Sequence, residues 1–257
     1  MAVRILAVIP ARYASSRLPG KPQVQIGGRP MVQWVYEAAG RVPSVGRVVV
    51  ATDDERVAEA VEGFGGEAVM TSPAHPSGTD RVAEAARGIG AEIVVNLQGD
   101  EPLIDPQVVE QAIEPLLAQE AVVMSTLCTR LRDEAEWRDP NVVKVVRGAN
   151  GDALYFSRAP IPHPREATPL AACPAYKHLG LYCYRGDFLE RLTELPPSPL
   201  ELVERLEQLR VLEAGYRIRV VETAHDSIGV DTPDDLERVR ALVVGSHHQH
   251  GQHGRQT

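Results

Sequence analysis

The chain has 257 residues, 44% of them apolar and 24% charged, with a formal net charge of −8. That length supports one large α/β domain or two small ones around a real core, and the composition is that of an ordinary soluble globular protein. The acidic balance argues against wrapping nucleic acid or coating an anionic membrane, and no apolar stretch approaches the roughly 20 residues of a membrane helix.

The charge is unevenly spread. The first acidic residue is Glu37, and before it come Arg4, Arg12, Arg17, Lys21 and Arg29, which suits an anionic small molecule near the N-terminus. Cys128, Cys173 and Cys183 are odd in number and lack metal-type or redox-type spacing. They read as reduced thiols of a cytoplasmic protein.

In chain order, the β-branched run Ile5–Ile9 predicts a buried central strand. Residues 10–30 read as a long loop rich in Pro, Gly and Arg, after which Pro30 opens a helix that Gly40 closes. Arg47–Ala51 is a second strand, and Thr52 with Glu55 has the capping-box spacing of a helix ending at Gly63. Glu67–Met70 predicts a third strand, Thr79–Arg87 a helix, Ile93–Leu97 a fourth strand, and Asp105-Pro106 the capped start of a helix reaching Ala118. This alternation predicts a doubly wound, mostly parallel sheet with its functional loops at the carboxyl ends of the strands.

The second half changes character. Asn141–Arg147 and Asp152–Ser157 flank Asn150-Gly151, a hairpin signal. A Pro-rich segment spans 159–174, Lys177–Tyr184 is a strand, Leu200–Glu213 has one helical period, Arg217–Val221 is a strand, and Thr232-Pro233 starts a last helix. These elements read as antiparallel strands and a cap on the same sheet, making 1–245 one domain. Residues 246–257, with His247, His248, His250 and His253, contain no apolar anchor and read as a disordered tail.

Four polar loops carry chemistry. The run Pro10-Ala11-Arg12 through Arg17 to Gly20-Lys21-Pro22 sets cations and a glycine directly after a buried strand, as a triphosphate site requires, although the Gly-Lys-Ser/Thr ending of a Walker A loop is absent. Gln98-Gly99-Asp100 ends the fourth strand, where one carboxylate is placed to hold a divalent cation and Gly99 permits close backbone approach. Asp231, before the last helix, suits either a helix cap or a second metal carboxylate. The loop His75–Arg81 offers Ser77, Gly78 and Thr79 either to a base and ribose or to helix capping. In the second half Arg158 could grip a carboxylate bidentately, and His178 on its own reads as a structural histidine.

The motifs IPARYASSRLPGKP, HPSGTDR, NLQGDEP, NVVKVV, YFSRAPIP, KHLGLYCYR, ELVERLEQLRVLE and IGVDTPDDLE, in this order, resemble the 3-deoxy-manno-octulosonate cytidylyltransferases from about Arg4 to Val244. Ser16 stands where Thr is usual and Leu97 where Val is usual. The resemblance implies a nucleotide-diphospho-sugar transferase (GT-A-like) fold and a homodimer, with residues 130–190 contributing cap and dimer contacts. It implies transfer of CMP from CTP to the anomeric hydroxyl of the acid sugar Kdo, with pyrophosphate released, for lipopolysaccharide synthesis. By the same resemblance Arg12 and Lys21 would bind the CTP phosphates, and Ala11, Ser77 and Gly78 the cytidine. Asp100 and Asp231 would hold Mg2+, and Gln98, Arg158, His178, Tyr182 and Glu207 would contact the sugar acid. Three other readings stay open at this point: the same chemistry on an amino-substituted analogue or a sialic acid, a glycosyltransferase, and an inactive nucleotide-binding module. A glycosyltransferase would usually carry Asp-x-Asp after a strand, where this chain has Gln98-Gly99-Asp100.

Overall fold

Ile5 to Ile9 are each at most 2% exposed, so strand β1 (Ile5–Pro10) is covered on both faces. Side chains alternate along a strand. Ile5, Ala7 and Ile9 therefore enter one core layer and Leu6 and Val8 the other. The computed structural model describes residues 4–14, 18–166, 168–226 and 228–252, with side chains through Val243. Ser16, Arg17 and His253 lie outside the described residues, as do the side chains of His247, His248 and His250.

After β1 come a two-stranded ribbon, β2 (Gln25–Ile26) and β3 (Arg29–Pro30), then α1 (Met31–Gly40), β4 (Arg47–Thr52), α2 (Glu55–Gly63), β5 (Ala68–Met70), α3 (Gly78–Ile89), β6 (Ile93–Asn96) and α4 (Pro106–Ala118). The second half holds β7 (Met124–Arg130), α5 (Glu134–Arg138), β8 (Lys144–Arg147), β9 (Ala153–Ser157), β10 (Tyr176–Arg185), α6 (Gly186–Glu194), α7 (Pro199–Glu204), α8 (Gln208–Glu213), β11 (Arg219–Glu222) and α9 (Pro233–Gln252). The main sheet runs β11-β7-β10-β6-β1-β4-β5, and the β8–β9 hairpin branches from β10. Neighbouring strands are parallel except where β10 meets β6 and β7, so β10 alone opposes the other six along this path. Helices α1, α2 and α4 supply one core layer, and α3, α6 and α8 the other.

A third, smaller core decides the site. Val230, Leu236, Val239 and Val243 pack with Ile26 and Met31, docking the start of α9 onto the β2–β3 ribbon. Chain ends more than 200 residues apart in sequence thereby meet beside the carboxyl end of β1.

Several local expectations change. The segment from Pro10 to Pro30 is not loop throughout, since it contains the ribbon and a 3₁₀ turn at Lys21–Gln23. Pro30 is the residue before α1 rather than its first. The cap of α2 is Asp54, whose carboxylate accepts from Arg56 N, while Thr52 Oγ1 accepts from Asp54 N instead. The single helix expected over 200–213 is two, α7 and α8, broken at Arg205 with φ 54°. The last helix continues to Gln252, into the segment read as a disordered tail. Strand β7 and helices α5 and α6 have no counterpart in the sequence reading. Buried Ser125, Thr126 and Thr129 hide β7 from a hydrophobicity pattern.

Candidate active site

Gly20 adopts φ 67°, a left-handed turn that suits glycine. Its N–H donates to Tyr13 O, and the guanidinium of Arg56 lies 3.4 Å from the Tyr13 ring centre. Tyr13 and the Gly20 turn are thus held against α2, while Arg12 stays exposed. Directly after the turn, Lys21 points inward with its side chain 15% exposed.

The loop after β6 approaches from the other side. A Cβ on Gly99 would sit 3.4 Å from both Ile9 Cγ2 and Pro10 O, so this loop packs against the end of β1. Asp100 follows. The α9 end delivers Asp231, and its alternative role as helix cap is taken by Thr232 and Asp235. Asp235 Oδ2 accepts from Thr232 N at 2.9 Å, and Asp235 N donates to Thr232 Oγ1 at 3.2 Å. Val230 N donates to Asp100 O at 2.9 Å, which ties the two aspartate loops together through the backbone.

The three loops converge on one atom. Lys21 Nζ lies 2.6 Å from Asp100 Oδ2 and 2.9 Å from Asp231 Oδ1. Burial opposes the lysine's charge, but attraction and hydrogen bonds to Asp100 and Asp231 outweigh it and hold the Lys21 pKa above its ordinary value. The pair of carboxylates is the donor set that could hold a metal together with ligand oxygens. Among the described residues no cluster of three or more His, Cys, Asp or Glu offers an all-protein cage.

Around this centre is a cavity of about 480 Å³, lined by Ala11, Arg12, Lys21, Ser77, Gly78, Gln98, Asp100 and Asp231 among others. These eight residues, all singled out in the sequence, therefore share one cleft. Arg12 Nη2 donates to His75 O at 2.6 Å, linking the first loop to the Ser77–Gly78 loop across it. Ser77 caps α3, accepting from Asp80 N, and a Cβ on Gly78 would lie 3.7 Å from Pro10 Cγ. Pro22 and Met31 also line the cavity. No spacing or charge in the sequence marks Met31 as a site residue.

Arg158, His178, Tyr182 and Glu207 are not among the lining residues. His178 and Tyr182 lie on β10, whose register against β7 shifts between Leu179 and Tyr182. A Cβ on Gly180 in that bulge would meet Gln98 Cγ at 3.9 Å. His178 Nε2 is 2.9 Å from Thr126 Oγ1, and its ring contacts Phe156 and Tyr182. Burial pushes its pKa down to about 3, so the ring is neutral at physiological pH. Burial and, secondarily, Glu207 raise the Tyr182 pKa, keeping its hydroxyl protonated. The Arg158 guanidinium donates to three carbonyls, Glu204 O at 2.7 Å, Pro140 O at 2.9 Å and Arg205 O at 3.4 Å. Glu207 accepts from Thr79 Oγ1 at 2.8 Å and Ser77 Oγ at 3.1 Å.

A cytidylyltransferase family model matches residues 6–218. A 3-deoxy-manno-octulosonate cytidylyltransferase of Syntrophotalea carbinolica is 57% identical over 247 residues, covering 94% of this chain and 99% of that protein. One from Geobacter metallireducens is 55% identical over 245 residues, covering 92% and 96%. A solved structure of CMP:2-keto-3-deoxy-manno-octonic acid synthetase complexed with CTP superposes with a TM-score of 0.90 at 49% identity, covering 95% of this chain and 99% of that one.

Proposed function

The chain belongs to the 3-deoxy-manno-octulosonate cytidylyltransferases of the cytidylyltransferase family, and from that premise we propose that it transfers CMP from CTP to the anomeric hydroxyl of Kdo and releases pyrophosphate. The observation that supports this most is the meeting of Lys21, Asp100 and Asp231 beside Arg12 and the Ser77–Gly78 loop. A nucleoside triphosphate needs such a site: cations for its phosphates, carboxylates for a bridging metal, and a small-residue loop for its base and ribose.

The residues fit Mg2+. Two carboxylates already converge on a cationic atom, and magnesium typically takes one or two carboxylates, completing its shell with water and phosphate oxygens. Asp100 and Asp231 would hold it. The ion would supply charge to offset the phosphates and would lower the pKa of the attacking hydroxyl.

The chain's own groups do the rest. In the reaction the sugar's anomeric oxygen bonds to the α-phosphorus, the bond from that phosphorus to the bridging oxygen of pyrophosphate breaks, and the hydroxyl proton goes to solvent. Phosphoryl-type transfer leaves the protein mainly positioning and charge stabilisation. Lys21, no longer paired with the carboxylates, and Arg12 would bind the β- and γ-phosphates as negative charge builds on the leaving group. Ala11, Ser77 and Gly78 would hold the cytidine. Gln98 would face the sugar acid, with His178 and Tyr182 on the neighbouring strand β10. His178, being neutral, would offer a hydrogen bond and not a charge.

We place the enzyme in the cytoplasm, in the supply of activated sugar for lipopolysaccharide. Cys128, Cys173 and Cys183 are free thiols, which suits a reducing compartment. Among the described residues no helix is long and apolar enough to cross a membrane. A homodimer using residues 130–190 is part of the same proposal, and sedimentation of the purified chain tests it.

The deciding experiment measures pyrophosphate release from CTP with Kdo, without sugar, and with a sialic acid, each with and without Mg2+. Release only with CTP, Kdo and the metal is expected. Equal release with sialic acid would move the substrate assignment, and none under any condition would leave a binding module.

A further inference from the structure

Both carboxylate oxygens of Glu207 accept hydrogen bonds from the Ser77–Thr79 loop. Oε2 accepts from Thr79 Oγ1 at 2.8 Å and Oε1 from Ser77 Oγ at 3.1 Å. Ser77 has one hydroxyl proton and a closer acceptor in Asp80 Oδ2 at 2.7 Å. Thr79 is therefore the firmer tie. It is 5% exposed, and between it and Ser77 lies Gly78, which lines the nucleotide cavity.

The other end of the link is equally constrained. Glu207 stands two residues after Arg205, a non-glycine residue in the left-handed region, a conformation disfavoured for any residue with a Cβ. Such an elbow persists only where its surroundings hold it. Here Arg158 donates to the carbonyls of Glu204 and Arg205, while the Glu204 carboxylate accepts from Ser157 Oγ at 2.7 Å and Arg158 N at 3.0 Å. Beyond the elbow, Arg210 grips Glu201 bidentately at 2.5 and 2.8 Å with both side chains 12% exposed, which locks α8 onto α7. Burial raises the pKa of Glu207, and the Thr79 hydrogen bond works against that shift, favouring the ionised form.

We propose that Glu207 and Thr79 are positioning residues: the elbow between α7 and α8, clamped by Arg158, delivers the Glu207 carboxylate to the Ser77–Thr79 loop and sets the shape of the nucleotide site. The proposal rests on the reading of that cavity as a CTP site. It gives the two residues a role in nucleotide affinity that is exerted before the sugar binds.

The test is Thr79→Val, which keeps the shape and removes the hydroxyl, against Thr79→Ser, which restores it. CTP binding is measured by calorimetry without sugar, together with melting temperature and the KM of each substrate. Thr79→Val should weaken CTP about tenfold, equivalent to about 1.4 kcal/mol, raise the CTP KM in parallel, and leave the sugar KM unchanged. Thr79→Ser should bind CTP within about twofold of wild type if the hydroxyl is what matters. Glu207→Gln, which keeps volume and one acceptor oxygen, should show a smaller loss in the same direction and guards against a misfolded valine variant. A Thr79→Val protein that binds CTP normally and only melts earlier would overturn the proposal, as would a serine variant as weak as the valine one. A wild-type chain that binds no CTP would overturn both this and the functional reading. Tight wild-type binding unaffected by the hydroxyl overturns this inference alone.

Discussion

Val230 N and Asp100 O are joined by a 2.9 Å hydrogen bond, which sets the loop carrying one site aspartate directly beside the loop carrying the other. The bond is between backbone atoms, so replacing either aspartate side chain leaves it intact. The two carboxylates can thus be altered one at a time in a loop pair that keeps its geometry.

Asp231 is the more exposed of the two, 50% against 30% for Asp100. Asp231→Asn is expected to raise the Mg2+ concentration for half-maximal rate by about tenfold, within the range seen when groups around a metal are altered, with partial recovery at high Mg2+. Asp100→Asn should stay inactive across the titration. Pyrophosphate release against Mg2+ concentration checks both, and an unchanged Mg2+ requirement in either variant would remove that residue from the metal site.

Lys21→Met should lower kcat by about 10²–10³, the usual scale for losing a preorganised charge on a developing anion. The lysine also has a pH signature. Its pKa is raised from 10.5 in the folded chain, so its stabilising contribution is complete below that value and is lost as pH rises through the higher folded value. Wild-type melting temperature should fall more steeply than that of Lys21→Met above about pH 10.5, and parallel curves would deny the ion pairs a stabilising role.

His178 has the opposite sign. Its pKa is depressed from 6.5 to about 3, so the stability from the neutral buried ring is complete above 6.5 and is lost as pH falls toward about 3. Melting temperature should decline less between pH 6.5 and 4 in His178→Gln than in wild type. The activity profile of wild type should show no step near the ordinary histidine value attributable to this ring.

Arg158→Ala should destabilise the chain by about 2–4 kcal/mol, since three carbonyls lose a charged donor. That corresponds to a melting temperature lower by about 5–15 °C. Because the same side chain supports the elbow before Glu207, CTP affinity measured without sugar should fall as well. Lysine cannot reproduce three bonds from a rigid planar fork, so Arg158→Lys should recover only part of the loss. A variant with normal stability and normal CTP affinity but a raised sugar KM would instead make Arg158 a direct contact to the sugar acid.

Much of the scaffold was legible in the chain because it rests on local pattern. The run Ile5–Ile9 announces a strand covered on both faces, and Asp105-Pro106 marks the start of α4, with Asp105 accepting from Gln107 N at 2.9 Å. Pattern failed where polar side chains satisfy themselves inside the protein. The hydroxyl of Ser125 donates to Ala112 O, and Thr126 Oγ1 lies within 3.1 Å of Leu179 O and Leu181 O, so β7 is central to the sheet without an apolar signature. Helical periodicity likewise ran through 200–213, blind to the left-handed turn at Arg205 that tertiary bonds maintain.

The amino-acid order by itself determined which residue types stand at the ends of the strands: cations after β1, Asp100 after β6, a serine-glycine loop before α3 and Asp231 before α9. It also carried the resemblance that names the family, since motifs in a fixed order survive without coordinates. Only the tertiary structure decided that Lys21 lies between Asp100 and Asp231, that Asp235 and not Asp231 serves the α9 cap, and that Arg158 and Glu207 spend their polar groups on the protein itself. Residues 210 apart in sequence meet only because the core of Ile26, Met31, Val230, Leu236, Val239 and Val243 buries apolar surface between the two ends of the chain. That burial is a non-directional, long-range gain which no local spacing encodes.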